Sequence, residues 1–145
     1  MIYRLRHTGI VVADLDSALH FWCHLLGFEV EKQMIESGPF VDKLLGLSDV
    51  KVTTSKLIDL DGNRIELLCF HSHPDCLGWK GSVNSTGLTH IAFTVEDLEW
   101  VYGNLSSKGV RFFAEPQVSP DGGAKVVYAS GPENLLLEFV EMIEV

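Results

Sequence analysis

The sequence has few cysteines and no long apolar run. Its three cysteines show no Cys-x-x-Cys spacing, which fits a reducing compartment better than a disulfide framework. No stretch reaches the roughly 18 consecutive apolar residues of a transmembrane helix, and the N-terminus shows no signal-peptide pattern. These absences predict a cytoplasmic protein with no membrane-embedded part.

Basic residues are also scarce. The chain has 11 Lys and Arg against 20 Asp and Glu, and its formal net charge is −9 at pH 7. Nucleic acids and anionic membranes are both bound through basic side chains, so the sequence argues against either partner. A small-molecule substrate is expected instead. The chain has 145 residues, of which 46% are hydrophobic, and this length and composition predict a single globular domain over residues 1–145.

What the chain does contain is an internal repeat. Residues 7–15 read HTGIVVADL, and residues 90–98, which lie 83 positions later (90 − 7 = 83), read HIAFTVEDL. A second echo, with a slip of one residue, relates residues 61–68 to residues 132–139. In both echoing segments an Asn stands shortly before a Glu in an apolar strand. An internal duplication explains both similarities.

Each copy predicts a β-α-β-β-β module. The first (about 4–70) has strands over 4–13, 28–35, 50–60 and 63–70, and a helix from Asp14 to about residue 26. A loop over 37–49 has room for a helical turn, and Asp61-Gly62 is a strong hairpin signal. After a connector (about 71–87), the second module (about 88–142) has strands over 88–95, 110–118, 124–130 and 134–141, and a helix over 96–108. The predicted fold class is α+β.

Four ionisable residues occupy matched positions in the predicted strands: His7, Glu66, His90 and Glu138. Taken singly, each has an ordinary structural explanation, as a core histidine or a solvent-facing glutamate. A buried carboxylate must, however, be paired, neutralised or bound to metal. Two imidazoles and two carboxylates around one divalent ion meet that need, and this donor set suits Zn²⁺, Ni²⁺, Co²⁺, Mn²⁺ or Fe²⁺. Their repetition favours a metal site.

With this residue order and this doubled module, the chain resembles the vicinal oxygen chelate superfamily. The superfamily includes glyoxalase I, methylmalonyl-CoA epimerase, extradiol dioxygenases and the fosfomycin and bleomycin resistance proteins. The resemblance spans residues 5–142 and depends on segments 7–15, 63–68, 90–98 and 134–141. It implies a cupped mixed sheet with helices on the outer face, a substrate that chelates the metal through adjacent oxygens, and a homodimer. The four ligands then meet either within one chain or across the dimer.

The resemblance is nearest to glyoxalase I, some members of which fill all four positions with His, Glu, His and Glu. It implies a metal-dependent lyase or isomerase that acts by proton transfer on a small α-oxygenated carbonyl compound, with Zn²⁺, Ni²⁺ or Co²⁺. Glu138 or Glu66 is the expected base, although Glu66 could equally be a ligand alone. Three different functions stay open within the superfamily: an extradiol-type dioxygenase with Fe²⁺ or Mn²⁺, an epimerase-like isomerase, and a non-enzymatic antibiotic-binding protein.

Other residues that could bind a metal or line a pocket have more ordinary explanations. His20 and His24 lie off the apolar stripe of their helix and are expected at the surface, and the connector residues His71, His73 and Cys76 are expected in a loop. The remaining candidates are pocket or core aromatics and a pocket-rim tryptophan: Phe40, Phe70, Tyr128 and Trp79. Arg64 shares the strand face of Glu66, where it is a candidate to meet a substrate anion or a carboxylate beside the metal.

Overall fold

The computed structural model describes residues 1–73 and 82–143 and shows an α+β protein with two mixed sheets and few helices. The chain divides into two compact units, Met1–Leu77 and Gly78–Val145. The predicted fold class is therefore confirmed, and each predicted module lies within one unit. None of the helices in the described part of the chain has the length and apolar character needed to cross a membrane.

The first unit contains one four-stranded sheet. Its elements are β1 (Thr8–Val11), α1 (Leu15–Leu19), β2 (Glu29–Ser37), α2 (Pro39–Leu45), β3 (Lys51–Ile58) and β4 (Arg64–Phe70). The strand order is β1-β4-β3-β2. β1 runs parallel to β4, and the other two pairings are antiparallel. This is the predicted β-α-β-β-β order with the short helix α2 added in the predicted loop.

The β3–β4 hairpin turns at the predicted Asp61-Gly62 signal. Gly62 has a φ of +86°, which glycine adopts without the strain that a Cβ would cause. The Asp59 carboxylate accepts hydrogen bonds from the main-chain N–H groups of Asp61 and Asn63, at 3.0 and 2.8 Å. Turn geometry fixes the register of a hairpin, and this turn places β3 and β4 in the pairing on which the candidate site depends.

The helix after β1 changes its hydrogen-bonding pattern part-way along. Asp14 caps α1, and its carboxylate accepts a hydrogen bond of 3.0 Å from the Ser17 N–H group. The chain then continues as a π-helical segment, His20–Leu25, and the Leu26 N–H group donates to the carbonyl of Phe21, five residues earlier. The predicted helix to about residue 26 is therefore present, and its second half has the π-helical hydrogen-bonding pattern instead of the α-helical one.

One face of the first sheet forms the main core of this unit. Ile65 and Leu67 of β4 are buried on that face, and α1 packs against β4. Trp22 is also buried and meets Phe28 edge to face, with ring centroids 5.2 Å apart. Because side chains alternate along a strand, Glu66 between the two buried residues points to the opposite face.

A smaller core lies under α2. Its buried members are Val41, Val50 and Val52, and Leu68 and Phe70 pack against them. The Asp42 carboxylate accepts a hydrogen bond of 2.8 Å from the Val50 N–H group and so holds the end of the loop to the helix. Of the two aromatic residues considered for the pocket in this unit, Phe70 is part of this core, whereas Phe40 is exposed.

The second unit repeats the topology of the first. Its elements are β5 (His90–Thr94), α3 (Leu98–Ser107), β6 (Arg111–Phe112), β7 (Gln117–Val118), β8 (Ala124–Ser130) and β9 (Leu136–Met142). The strand order is β5-β9-β8-β6, and β7 also pairs with β8. β5 runs parallel to β9, as β1 does to β4. The structural repeat agrees with the duplication in the sequence.

The predicted strand over 110–118 is broken into β6 and β7. Both short strands pair with β8, and the Phe113 N–H group still donates to the carbonyl of Tyr128 just after β6. Pro116 stands immediately before β7. Proline has no N–H group to donate to a ladder, so the continuous pairing that we predicted is interrupted there.

The helix of the second unit packs on its sheet. Asp97 caps α3, and its carboxylate accepts a hydrogen bond of 2.9 Å from the Trp100 N–H group. Leu98 and Leu105 are buried, and α3 packs against β9, where Leu137 is fully buried. As in the first unit, the helix covers one sheet face and the candidate residues project from the other.

The first strand of each module is shorter than predicted. β1 begins at Thr8, so His7 stands immediately before the strand rather than inside it, and His90 is the first residue of β5. Glu66 and Glu138 each occupy the third position of their strands, β4 and β9. Both histidines therefore lie at strand starts, and both glutamates lie inside strands.

Candidate metal centre

The first unit brings His7 and Glu66 together. The distance between His7 Nε2 and Glu66 Oε2 is 3.6 Å, and the side chains are 32% and 15% exposed. Parallel pairing between β1 and β4 explains the contact. Gly9, which lies two residues after His7, is the register partner of Glu66. Residues two positions apart along a strand project to one face, so the histidine reaches the face of the glutamate.

The second unit brings His90 and Glu138 together in the same way. His90 Nε2 lies 3.1 Å from Glu138 Oε2, and the side chains are 33% and 20% exposed. Ala92, two residues after His90, is the register partner of Glu138. Each unit thus builds one His–Glu pair from two parallel strands, with the same offset between histidine and glutamate.

Thr89 orients the imidazole of His90. The Thr89 Oγ1 atom lies 2.9 Å from His90 Nδ1. When the hydroxyl oxygen accepts from Nδ1–H, the lone pair of Nε2 faces Glu138. Hydrogen bonds of this kind fix the tautomer and the ring orientation of metal-binding histidines. Sequence reasoning missed Thr89, although a hydroxyl residue directly before the repeated histidine was the available signal.

Tyr128 completes the polar group around His90. Its hydroxyl lies 3.3 Å from His90 Nε2, and the two rings meet edge to face with centroids 5.1 Å apart. Tyr128 on β8 is the register partner of Glu138 on β9. Burial, together with the nearby Glu138 carboxylate, raises the pKa of the Tyr128 phenol above its usual value of 10.0. The phenol therefore keeps its proton at neutral pH and is a hydrogen-bond donor.

The matched position in the first unit carries Lys56. Lys56 on β3 is the register partner of Glu66, and its Nζ lies 4.0 Å from Glu66 Oε2. Lys56 and Tyr128 each precede the glutamate of their unit by ten residues (66 − 56 = 10; 138 − 128 = 10). Sequence reasoning missed Lys56, although alignment of the repeats on their glutamates gives this correspondence. The glutamate of the first unit thus faces an ammonium group, and the glutamate of the second unit faces a phenol.

Arg64 is engaged by another carboxylate. Its guanidinium donates two hydrogen bonds to Glu31, from Nε at 2.8 Å and from Nη2 at 2.6 Å. This pairing lowers the pKa of Glu31, chiefly through the hydrogen bonds from Arg64. Arg64 is therefore the partner of a neighbouring acidic side chain, and its suggested role toward a substrate anion finds no support in this contact.

The remaining histidines and cysteines of the described residues do not form a further centre. His20 and His24 are exposed, as expected, with ring centroids 5.2 Å apart. His71 and Thr53 are hydrogen-bonded at 2.7 Å, between the imidazole Nε2 and the threonine hydroxyl. His73 Nδ1 lies 2.9 Å from the Ser72 hydroxyl. Cys76 and Trp79, suggested for the loop and the pocket rim, lie outside the described residues.

The chemistry of each pair fits a divalent metal ion. A neutral imidazole nitrogen and a carboxylate oxygen both carry lone pairs, and the two atoms face one another at 3.1 Å in the second unit. Such an arrangement is favourable when a cation, either a proton or a metal, lies between or beside them. Nitrogen and oxygen donors of this kind suit Zn²⁺, Ni²⁺ and Co²⁺ as well as Fe²⁺ and Mn²⁺.

The four predicted ligands therefore occur as two pairs, one in each unit. Among residues 1–73 and 82–143, no third His, Cys, Asp or Glu joins either pair to make a three-ligand group. One pair alone leaves at least two positions of a four-coordinate ion open.

Comparison with known proteins identifies the family. The sequence pattern that defines the glyoxalase/bleomycin resistance protein/dioxygenase superfamily matches residues 6–128 of this chain. The uncharacterised protein YurT of Bacillus subtilis is 34% identical over 109 residues, which cover 75% of this chain and 77% of that protein. A Synechocystis protein named probable lactoylglutathione lyase is 28% identical over 138 residues, 94% of each chain.

A solved structure extends the similarity to the whole fold. A glyoxalase family protein from Bacillus cereus matches with a TM-score of 0.91 and 27% identity, and the match covers 99% of this chain and 97% of that chain. The vicinal oxygen chelate resemblance inferred from the repeated residues is thereby confirmed. The chain belongs to the glyoxalase/bleomycin resistance protein/dioxygenase superfamily.

Proposed function

We propose that this protein is a metal-dependent lyase or isomerase of the glyoxalase I type. It acts by proton transfer on a small α-oxygenated carbonyl substrate. The observation that carries the proposal is the presence of two His–Glu pairs with the same strand offset, His7 with Glu66 and His90 with Glu138. The similarity to a probable lactoylglutathione lyase supports the same reaction class.

In this proposal the two pairs bind one divalent ion, Zn²⁺, Ni²⁺ or Co²⁺, with two imidazoles and two carboxylates. The bound ion supplies Lewis-acid stabilisation of negative charge on adjacent substrate oxygens. The carboxylates of Glu66 and Glu138 balance the two charges of the ion, which removes the electrostatic cost of placing them near each other. Thr89 holds His90 in the tautomer that ligation requires.

Glu138 is the proposed base. Within the described part of the chain it forms no ion pair with Lys or Arg, whereas Glu66 has the Lys56 ammonium at 4.0 Å. Once loosened from the metal, a carboxylate that has no Lys or Arg partner is the better choice to take a proton from the substrate carbon and return it elsewhere. Glu66 then serves as a ligand. Tyr128 keeps its proton, and because Nε2 of His90 is occupied by the metal in this proposal, its hydroxyl is free to donate a hydrogen bond to a substrate oxygen.

The two pairs come either from one chain or from two chains of a homodimer. The proposal favours a homodimer, because β1 and β2 are edge strands with exposed apolar side chains, among them Val11 and Ile35. Edge strands of this kind usually acquire a partner. The cytoplasmic location expected from the sequence remains a prediction.

The proposal is tested first by metal analysis of protein purified without a metal-affinity tag. The expected result is about one Zn²⁺, Ni²⁺ or Co²⁺ per chain. This metal should be lost in His90→Ala and retained in His24→Ala, which changes an exposed histidine. Iron instead of these metals would shift the assignment to a ring-cleaving dioxygenase and direct the assays to catechols. No metal after soaking would contradict the proposal and leave a small-molecule-binding protein.

The base assignment is tested by Glu138→Gln in the metal-loaded protein with hemithioacetal substrates. Loss of a positioned base lowers kcat by about 10²- to 10⁴-fold, while the fold and circular dichroism spectrum are expected to remain unchanged. Glu115→Gln changes an exposed carboxylate of the same unit and serves as the control. Normal turnover by Glu138→Gln would show that another group is the base.

A further inference from the structure

The face of the first sheet that carries Glu66 also carries two lysines. Lys56 is the register partner of Glu66, and Lys32 on β2 is the register partner of Lys56. Side chains that are directly opposite across an antiparallel pair project to the same face. Three neighbouring strands therefore present Lys32, Lys56 and Glu66 across one row. His7 lies beside Glu66 at the end of the row away from Lys32.

Two lysines directly opposite each other repel, and like charges in this position destabilise a sheet. Three acidic side chains of β2 lie on or beside this face. Glu31 is held by Arg64 and is also attracted by Lys56, Glu36 accepts a hydrogen bond of 3.0 Å from the Thr54 hydroxyl, and Glu29, opposite Ile58, is exposed. Glu66 is the carboxylate that pairs with Lys56, at 4.0 Å. The row thus holds two ammonium groups and one carboxylate.

The fold itself does not require an ammonium at this position. In the second unit the matched residue is Tyr128, a neutral phenol that faces Glu138 in the same register. The Lys56 side chain is 34% exposed, and the matched residue of the repeat carries no charge. The ammonium beside the glutamate is therefore specific to the first unit.

A metal ion on Glu66 changes the balance of this row. The carboxylate charge that pairs with Lys56 is then shared with a dication, and Lys56 becomes a cation beside a cation. An oxyanion placed next to the metal restores neutrality and gives the ammonium a partner. We propose that the substrate carries a carboxylate or phosphate group beside its chelating oxygens, and that Lys56, assisted by Lys32, binds this group. This inference rests on the proposed function.

The proposal is tested by calorimetry on Zn²⁺-loaded protein with hydroxamates, which chelate metals through adjacent oxygens. Each probe pair differs by one oxyanion: acetohydroxamate against succinic monohydroxamate, and glycolohydroxamate against phosphoglycolohydroxamate. In the unmodified protein we expect the anionic member of at least one pair to bind about tenfold more tightly, the size of one charged hydrogen bond. The preferred pair identifies the oxyanion as carboxylate or phosphate.

Lys56→Gln is expected to reduce that preference to less than about twofold and to leave acetohydroxamate binding nearly unchanged. Lys56→Arg keeps the charge and is expected to retain most of the preference. Lys51→Gln is the matched control, because Lys51 is exposed on the same strand but, five residues from Lys56, projects to the opposite face. Melting curves establish that all three variants are folded.

The outcomes separate this proposal from the proposed function. If the unmodified protein prefers neither oxyanion, or if Lys56→Gln keeps the preference, the assignment to Lys56 is wrong. In that case, binding of acetohydroxamate still supports the proposed metal site. If the unmodified protein binds neither Zn²⁺ nor acetohydroxamate, the proposed function is wrong and the oxyanion site falls with it.

Discussion

Replacement of Lys56 by glutamine is expected to strengthen metal binding. In the metal-free protein the Lys56 ammonium stabilises the Glu66 carboxylate from 4.0 Å. A divalent ion that binds Glu66 must share this carboxylate with the ammonium and is repelled by it. Lys56→Gln removes both effects and keeps a side chain of similar length. Most substitutions near a binding site weaken it, so an increase in affinity is a specific signature of this electrostatic arrangement.

The size of the effect follows from distance and exposure. Two unit charges 4 Å apart interact by about 4 kcal/mol at an effective dielectric constant of about 20. Lys56 is 34% exposed and Glu66 is 15% exposed, so solvent screens the pair and the upper value does not apply. Exposed pairs contribute about 0.2–1 kcal/mol in double-mutant cycles. We therefore expect a gain of about 1 kcal/mol, or about fivefold in the dissociation constant of Zn²⁺.

The assay is competition between the protein and a chromogenic chelator for Zn²⁺ at fixed pH and low salt. Lys56→Gln is compared with the unmodified protein, with Lys51→Gln as the control, and again in a Glu66→Gln background. The gain should be smaller in that background, because only the direct repulsion between the ammonium and the metal ion then remains to be removed. A weaker affinity in Lys56→Gln, or a gain that is not reduced without Glu66, would refute the reasoning.

Three further predictions concern stability. Leu137→Ala empties a fully buried position and should lower the free energy of unfolding in urea by about 2–5 kcal/mol; a loss below about 1 kcal/mol would contradict its place in the core. Asp97→Ala removes the N-cap of α3 and should cost about 1 kcal/mol, whereas Asp97→Ser should restore most of that loss. Hydrogen bonds from the main-chain N–H and then the hydroxyl of Ser17 hold the pKa of Asp14 below its usual 3.8. The stabilisation that the Asp14 carboxylate gives to the folded protein is therefore complete above pH 3.8 and is lost as the pH falls through the lower pKa of the folded state. The melting temperature of Asp14→Asn should lose this part of its dependence on acid pH. An unchanged pH profile would count against the cap.

The parts of the candidate site that were predictable follow from periodicity and repetition. Strand parity placed Arg64 on the face of Glu66, and the match between residues 7–15 and 90–98 predicted that His90 would have the position of His7. Both are properties of local sequence. The contacts of His7 with Glu66 and of His90 with Glu138 agree with them. That the two pairs share one metal stays a prediction.

The parts that were not predictable depend on register between strands. Lys56 faces Glu66 because the turn around Gly62 fixes the pairing of β3 with β4, and a different turn would bring another residue opposite the carboxylate. The π-helical segment His20–Leu25 has no signal in the apolar spacing, which an α-helix satisfies equally well. Pro116 was visible in the sequence, and the break before β7 should have been inferred from it.

The two residues that stand opposite the glutamates in the parallel strand pairs are both small: Gly9 faces Glu66 and Ala92 faces Glu138. The backbone does not demand glycine at position 9, since its φ is not positive, and an added Cβ would meet only the end of Leu68, at 3.6 Å. At position 9 the space beside the Glu66 carboxylate is thus kept open by side-chain size alone. Under the proposed function, the size of the residue at this position is therefore a means of changing which substrates fit while the four predicted ligands stay in place.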